Sequence, residues 1–88
     1  MNVAFKNSFL KDLRKIKERA LAMRVKEVIE SLEQASTPQE IANLKQLKGS
    51  TAYYRIRVGD HRIGLRLDGE TITLVRFLHR KEVYRYFP

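Results

Sequence analysis

The chain has 88 residues, with 18 lysines and arginines against 10 acids, a net charge of +8 and no cysteine. A chain this short makes one domain, residues 1–88, with a thin core that buries roughly 60–65% of its unfolded surface. The absence of cysteine excludes disulfide staples and thiolate metal sites and suits a reducing cytoplasm. No apolar run approaches the ~20 residues of a membrane span. The N-terminal "MNVAFKNSFLKDL" has polar and charged residues where a signal peptide needs an apolar block, so it reads as the start of the fold.

So much positive charge favours an anionic partner: nucleic acid, an acidic protein or a membrane surface. Its distribution narrows the choice. Residues 1–50 hold seven lysines and three arginines, whereas residues 51–88 hold seven arginines and one lysine. Lysine is a hydrated point charge; arginine is a planar fork that grips phosphate with two bonds and stacks on bases.

In chain order, "NVAF" (residues 2–5) is short and apolar and predicts a first strand. Asn7 or Ser8 can cap a helix in which Phe9, Leu10, Leu13 and Ile16 share one face, with Lys11, Asp12, Arg14, Lys15 and Lys17 on the other. A second helix carries Leu21, Val25, Val28, Ile29 and Leu32 as a single apolar stripe, which reads as core. The two predict an antiparallel hairpin with a break near Arg19–Ala20. Thr37, Pro38 and Glu40 have the spacing of a capping box with proline at the first helical position, so one short turn is expected over residues 38–43. Leu44 and Leu47 would then anchor a connection to the core.

From Ala52 the period changes to two. Tyr54, Ile56 and Val58 alternate with Tyr53, Arg55 and Arg57. After Gly59-Asp60, Ile63, Leu65 and Leu67 alternate with Arg62, Gly64 and Arg66. After Asp68-Gly69 comes "ETITLVRFLH", apolar enough for a central strand and carrying Arg76. The tail "RKEVYRYF" predicts one more helical turn. The fold class is therefore α+β: a small antiparallel sheet in β-α-α-β-β-β order, a short C-terminal helical turn, and a helical hairpin packed on one face.

The other face carries the arginines. Side chains on neighbouring strands lie about 5 Å apart, so Arg55 and Arg57 would project beside Arg62 or Arg66, an unfavourable grouping without an anion. Tyr53, Tyr84, Tyr86 and Phe87 are interleaved with these cations and are candidates for stacking on unpaired bases; Tyr54 and Phe77 read as core. His79 adjoins Arg80 and is a candidate proton carrier. Two histidines without an acidic cluster make no metal site, and Asp60 and Asp68 read as turn residues, so no metal or cofactor is expected. Arginines, a tyrosine and a histidine can still cleave RNA. The attacking 2′-hydroxyl belongs to the substrate, positive charge stabilises the pentacoordinate phosphate, and one group moves a proton.

The run "YYRIRVGDHRIGLRL", the later "LVRFLHRKEVYRYF" and the entry "LKQLKGS" resemble the RelE/ParE superfamily of toxins from bacterial type II toxin–antitoxin systems, the RelE branch most closely. The resemblance covers nearly the whole chain. It implies a toxin that enters the ribosomal A site, contacts 16S rRNA and cuts messenger RNA without metal through a cyclic phosphate. It also implies a cognate acidic antitoxin as partner. Carried onto this sequence, it gives Arg62 and Arg80 the phosphate, and Tyr84 a stacking or proton-transfer role. His79 is the second proton candidate, and Arg55, Arg57, Arg66, Tyr53 and Arg85 complete the RNA-binding set. The best-known RelE member has lysines where this chain has Arg55 and Arg57, and arginine is too basic to serve as a general base. Either His79 or Tyr84 takes the proton here, or the chain is slow, or it is not a nuclease. The other two readings are a ParE-like inhibitor of DNA gyrase and an RNA-binding module without chemistry.

Overall fold

Alternation along the C-terminal half organises the computed structural model, which describes residues 1–88. The elements are β1 (Asn2–Phe5), α1 (Asn7–Arg14), α2 (Arg19–Gln34), a 3-10 turn (Pro38–Glu40), β2 (Leu44–Gln46), β3 (Tyr53–Val58), β4 (His61–Asp68), β5 (Thr71–His79) and α3 (Val83–Tyr86). One sheet has the order β1-β5-β4-β3-β2. β2 to β5 are antiparallel neighbours, as the meander predicts. β1 joins β5 in parallel, with Asn2 beside Thr71 and Phe5 beside Leu74, so the sheet is mixed rather than wholly antiparallel. Leu44–Gln46, expected as a connection, is an edge strand on β3.

The two tight turns fall where glycine permits them: Gly59 and Gly69 both have positive φ, of 60° and 57°. The capping box is present, with the Thr37 N–H donating to Glu40 Oε2 at 2.9 Å, but the helical turn stops at Glu40.

α1 and α2 cover one sheet face. Phe9, Leu21, Val25 and Leu32 pack there against Ile56, Val58, Ile63, Leu65, Ile72, Leu74 and Phe77. α1 departs from expectation at both ends. Neither Asn7 nor Ser8 caps it; Lys6 occupies the cap position, and Ser8 Oγ donates to the Val75 carbonyl at 2.6 Å. The break lies earlier than Arg19–Ala20, because the N–H groups of Lys15 and Ile16 fold back onto the carbonyls of Asp12 and Leu13 and close the last turn.

Asp12, expected on the polar side of α1, is buried. Its carboxylate receives Arg76 Nε at 2.7 Å, Arg76 Nη2 at 3.1 Å and the Phe77 N–H at 3.0 Å. A register shift on β5 makes this possible: Gly64 pairs with Arg76 but Leu65 pairs with Leu74, leaving Val75 as an extra residue. The bulge returns Phe77 to the core, and the Arg76 side chain reaches across to Asp12 on α1. Arg76 therefore leaves the arginine face that its sequence company suggested.

The second face is not open along its whole length. Leu47, Leu78, Val83 and Phe87 form a smaller core there, with Tyr53 and Val75 at its margin. Phe87 lies flat over Gly64, where a Cβ would stand 2.7 Å from the ring.

Removing each partner of the buried ion pair should give different losses. Arg76→Ala leaves the Asp12 carboxylate buried with one N–H partner and should cost about 3–5 kcal/mol. Asp12→Ala leaves a guanidinium whose side chain is 27% exposed, so water answers its charge and the loss should be nearer 2 kcal/mol. Urea denaturation of both variants measures the ordering; equal losses, or the reverse order, would contradict this account of the bulge.

Candidate nucleic-acid interface

Because Ile56 and Val58 point into the helix-side core, Tyr53, Arg55 and Arg57 point away from it. Ile63 and Leu65 do the same for Arg62, Gly64 and Arg66 on β4. Register then sets the neighbours. Arg57 stands directly opposite Arg62, Arg55 opposite Gly64, and Tyr53 opposite Arg66. On its other side Arg55 faces Lys45 of β2. Arg57 and Arg62 are thus a cross-strand pair of like charge, with Cβ atoms about 5 Å apart.

A further arginine arrives after β5. The Arg80 N–H donates to the Asp60 carbonyl at 2.8 Å, which holds this segment against the β3–β4 turn. Tyr84 follows on α3 and is 69% exposed. The same turn fixes Arg62, whose Nη1 donates to the carbonyls of Gly59 at 3.0 Å and His61 at 2.9 Å. Burial pulls Arg62 below the usual arginine pKa; Arg55, Arg57 and Arg80 pull it the same way, and Tyr84 opposes them. Arg62 is where the fields of these four residues meet.

No carboxylate answers this charge. The ion pairs of the chain are Arg66 with Asp68 at 2.9 Å and Arg76 with Asp12 at 2.7 Å, both away from Arg62. The cluster is mutually repulsive, and Arg62 within it is hydrogen-bonded to neutral carbonyls. Its chemistry is that of an anion site, and arginines in such number suit phosphate.

Other expected residues lie elsewhere. His79 is across β4–β5 from His61, the two rings 5.4 Å apart, and His61 stacks on Phe77 at 5.0 Å. Both imidazoles are on the helix side, opposite to Arg62. His79 Nδ1 accepts the Lys81 N–H at 3.2 Å, and its ring lines a cleft with Asp12, Lys15 and Glu82. His79, a proton candidate from sequence, stands on the face away from Arg62: it has the same parity as His61, and the bulge sets that parity. Arg66 and Tyr53 share the arginine face but stand at its far end. Arg85 lies over the Tyr86 ring at 5.6 Å. Phe87, a stacking candidate from sequence, is buried over Gly64. Lys45 was not foreseen as part of this face; β2 is three residues long, and Leu44-Lys45-Gln46-Leu47 shows no alternation of apolar and polar residues that would mark a strand.

Residues 3–84 match the family model described as ParE toxin of type II toxin–antitoxin systems, parDE. The chain belongs to this family of toxins. Within it the chain is RelE-like. It is 40% identical over 89 residues to Toxin RelE3 of Methanocaldococcus jannaschii, covering 100% of both chains. Its fold matches a chain of the RelB-RelE antitoxin–toxin complex from Methanococcus jannaschii with a TM-score of 0.81 and 39% identity, covering 97% of this chain and 99% of that one. The archaeal RelE-RelB complex of Pyrococcus horikoshii OT3 shares the fold, with a TM-score of 0.72 at 24% identity over 90% of this chain and 93% of that one. No helix is long and apolar enough to cross a membrane.

The histidine side of the sheet has a pH signature. Burial pulls His61 below its ordinary pKa of 6.5, and His79 pulls the same way, against Asp60, Glu18 and Glu82. Asp12, Lys15, Arg24 and Arg76 also line the clefts around it. A lowered folded pKa means that the unfolded chain binds the proton more readily. This contribution is therefore fully present above pH 6.5 and declines as pH falls below it toward the folded value. Melting temperatures from pH 8 to 5 should fall less for His61→Phe, which keeps the stack on Phe77, than for wild type. Parallel profiles would contradict the assignment.

Proposed function

We propose that this protein is a ribosome-dependent endoribonuclease that cuts messenger RNA in the A site. The observation that carries the proposal is the cross-strand pair of Arg57 with Arg62, Arg55 beside it on β3 and Arg80 tied to the same turn, with no carboxylate paired to any of them. Such a site does electrostatic work on a phosphate. The substrate's 2′-hydroxyl attacks the adjacent phosphorus, the bond to the 5′-oxygen breaks, and a cyclic phosphate remains. Arg62, fixed by its turn carbonyls, and Arg80 stabilise the charge that builds on the non-bridging oxygens. Arg55, Arg57 and Lys45 hold the neighbouring backbone. Proton transfer falls to Tyr84, because the histidines are on the other face and an arginine is too basic. The exposed Tyr84 ring also offers a stacking surface for the base beside the scissile bond.

The partner proposed is an acidic antitoxin. The support is the net charge of +8 together with the crystal structures of related RelE chains in complex with RelB. A second reading, a non-nuclease toxin that inhibits DNA gyrase, draws on the ParE description of the matching family model.

Mapping RNA ends after brief induction without antitoxin separates the two. The nuclease gives new ends within codons of translated messages. Arg62→Ala and Arg80→Ala should each lower cleavage by about 100-fold or more while leaving the melting temperature close to wild type. Tyr84→Phe should lose more activity than stacking alone explains, since it keeps the ring and loses the proton. Intact messages with an induced DNA-damage response would instead favour gyrase.

A further inference from the structure

Beyond the arginine cluster, on the same sheet face, lies a second cleft of about 320 Å³, lined by Lys6, Tyr53, Arg66, Asp68, Thr73 and Val75 and closed at one end by Pro88. It differs in kind from the first site. Its floor is apolar, from Val75 and the edge of the small core under Phe87. Its wall is an aromatic ring with a cation above it: the Arg66 guanidinium lies 5.9 Å from the centre of the Tyr53 ring. Tyr53 itself is held upright, edge-to-face against Phe87 at 5.6 Å. Lys6 supplies a second cation that no carboxylate pairs, and the Thr73 side chain lies directly across β4–β5 from Arg66.

Position ties this cleft to the phosphate site. Arg57 faces Arg62, and four residues along both strands Tyr53 faces Arg66. The two stations are therefore ~13 Å apart along the strands, a distance that a short stretch of single strand covers. Arg55 and Lys45 lie between them on the adjoining strands, so the path is lined with cations throughout. Aromatic ring, stacked guanidinium and free lysine over an apolar floor form a receptor for one nucleotide: the base stacks on Tyr53, and the phosphate meets Arg66 and Lys6. Acidic peptide is the weaker match, because Asp68 would repel it and the aromatic wall would find nothing flat to stack on.

We propose that this cleft is a second subsite for single-stranded RNA, holding a nucleotide that flanks the one cleaved at Arg62. The proposal rests on the ribonuclease reading above and names where that enzyme grips its substrate away from the scissile phosphate. The Arg66–Asp68 pair restrains the subsite. Both side chains are about half exposed, so the pair is weak and gives way to a phosphate.

The test uses the intact protein and 2′-O-methyl oligoribonucleotides, which bind but cannot supply the attacking hydroxyl. Affinity is measured for a dinucleotide, which fills only the arginine cluster, and for a pentanucleotide, which reaches both stations. Wild type should bind the longer strand at least about tenfold tighter, the low end of what one stacked base contributes. Lys6→Ala/Arg66→Ala should abolish that increment, so that the variant binds the dinucleotide and the pentanucleotide with equal affinity. Asp68→Asn should enlarge it severalfold, an effect that a structural role for the ion pair does not produce. Arg62→Ala should weaken both oligonucleotides alike. If wild type binds the dinucleotide but the increment survives in Lys6→Ala/Arg66→Ala, the subsite is refuted and the nuclease reading stands. If neither oligonucleotide binds wild type, both fall together. If the double variant loses affinity only for an acidic antitoxin, the cleft is a protein contact and the RNA subsite is overturned.

Discussion

The seat of Phe87 over Gly64 is the constraint on which the functional face depends. β5 is apolar on both sides: Ile72, Leu74 and Phe77 feed the helix-side core, while Val75 and Leu78 belong to the opposite face. That second set is covered by Leu47 and by the C-terminal segment through Val83 and Phe87. Fully burying a ring such as Phe87 is worth about 1.5–3 kcal/mol, and it requires that the strand beneath carry no side chain. Glycine at residue 64 meets that need and also leaves no side chain opposite Arg55 on β4. The segment so pinned carries Arg80 and Tyr84. One packing contact between a ring and a bare backbone thus completes the small core and delivers two groups to Arg62.

The arginines of the sheet fall into two electrostatic kinds, divided by the β5 bulge. Arg76 is turned toward the helices and is answered by Asp12 through two hydrogen bonds, which fasten α1 to the sheet. Arg55, Arg57, Arg62 and Arg80 are answered by no acid. Like charges held side by side destabilise the free fold, and nothing in the packing of this face demands them. A fold that keeps charge in this arrangement is built to have it neutralised by a ligand. RNA in the ribosome is the polyanion proposed for it.

Much of the face was legible in the sequence, because a strand's period of two assigns sides without any tertiary knowledge. Tyr53-Arg55-Arg57 and Arg62-Gly64-Arg66 were placed on one side by that alone, and the glycines at residues 59 and 69 marked the turns. What failed to show has physical causes. Three apolar residues after Asn2 in β1 say nothing about strand direction, so its parallel pairing with β5 was invisible. A bulge adds one residue without changing composition, so the side taken by His79 could not be counted from the pattern. Asp12 looked like one more polar residue on a charged helix face; only its partner, 64 residues away, makes it a core residue. Phe87 looked free to stack on bases because nothing local signals that a chain end will fold back over a glycine.

The central claim is that Arg55, Arg57, Arg62 and Arg80 form one phosphate site. The most direct test is to follow the arginine Nε–H resonances by NMR while titrating a short 2′-O-methyl RNA into the protein. The account predicts that these four resonances move together along one saturation curve, while that of Arg76, engaged with Asp12, stays in place. Independent curves for the four, or a response confined to other arginines, would contradict it.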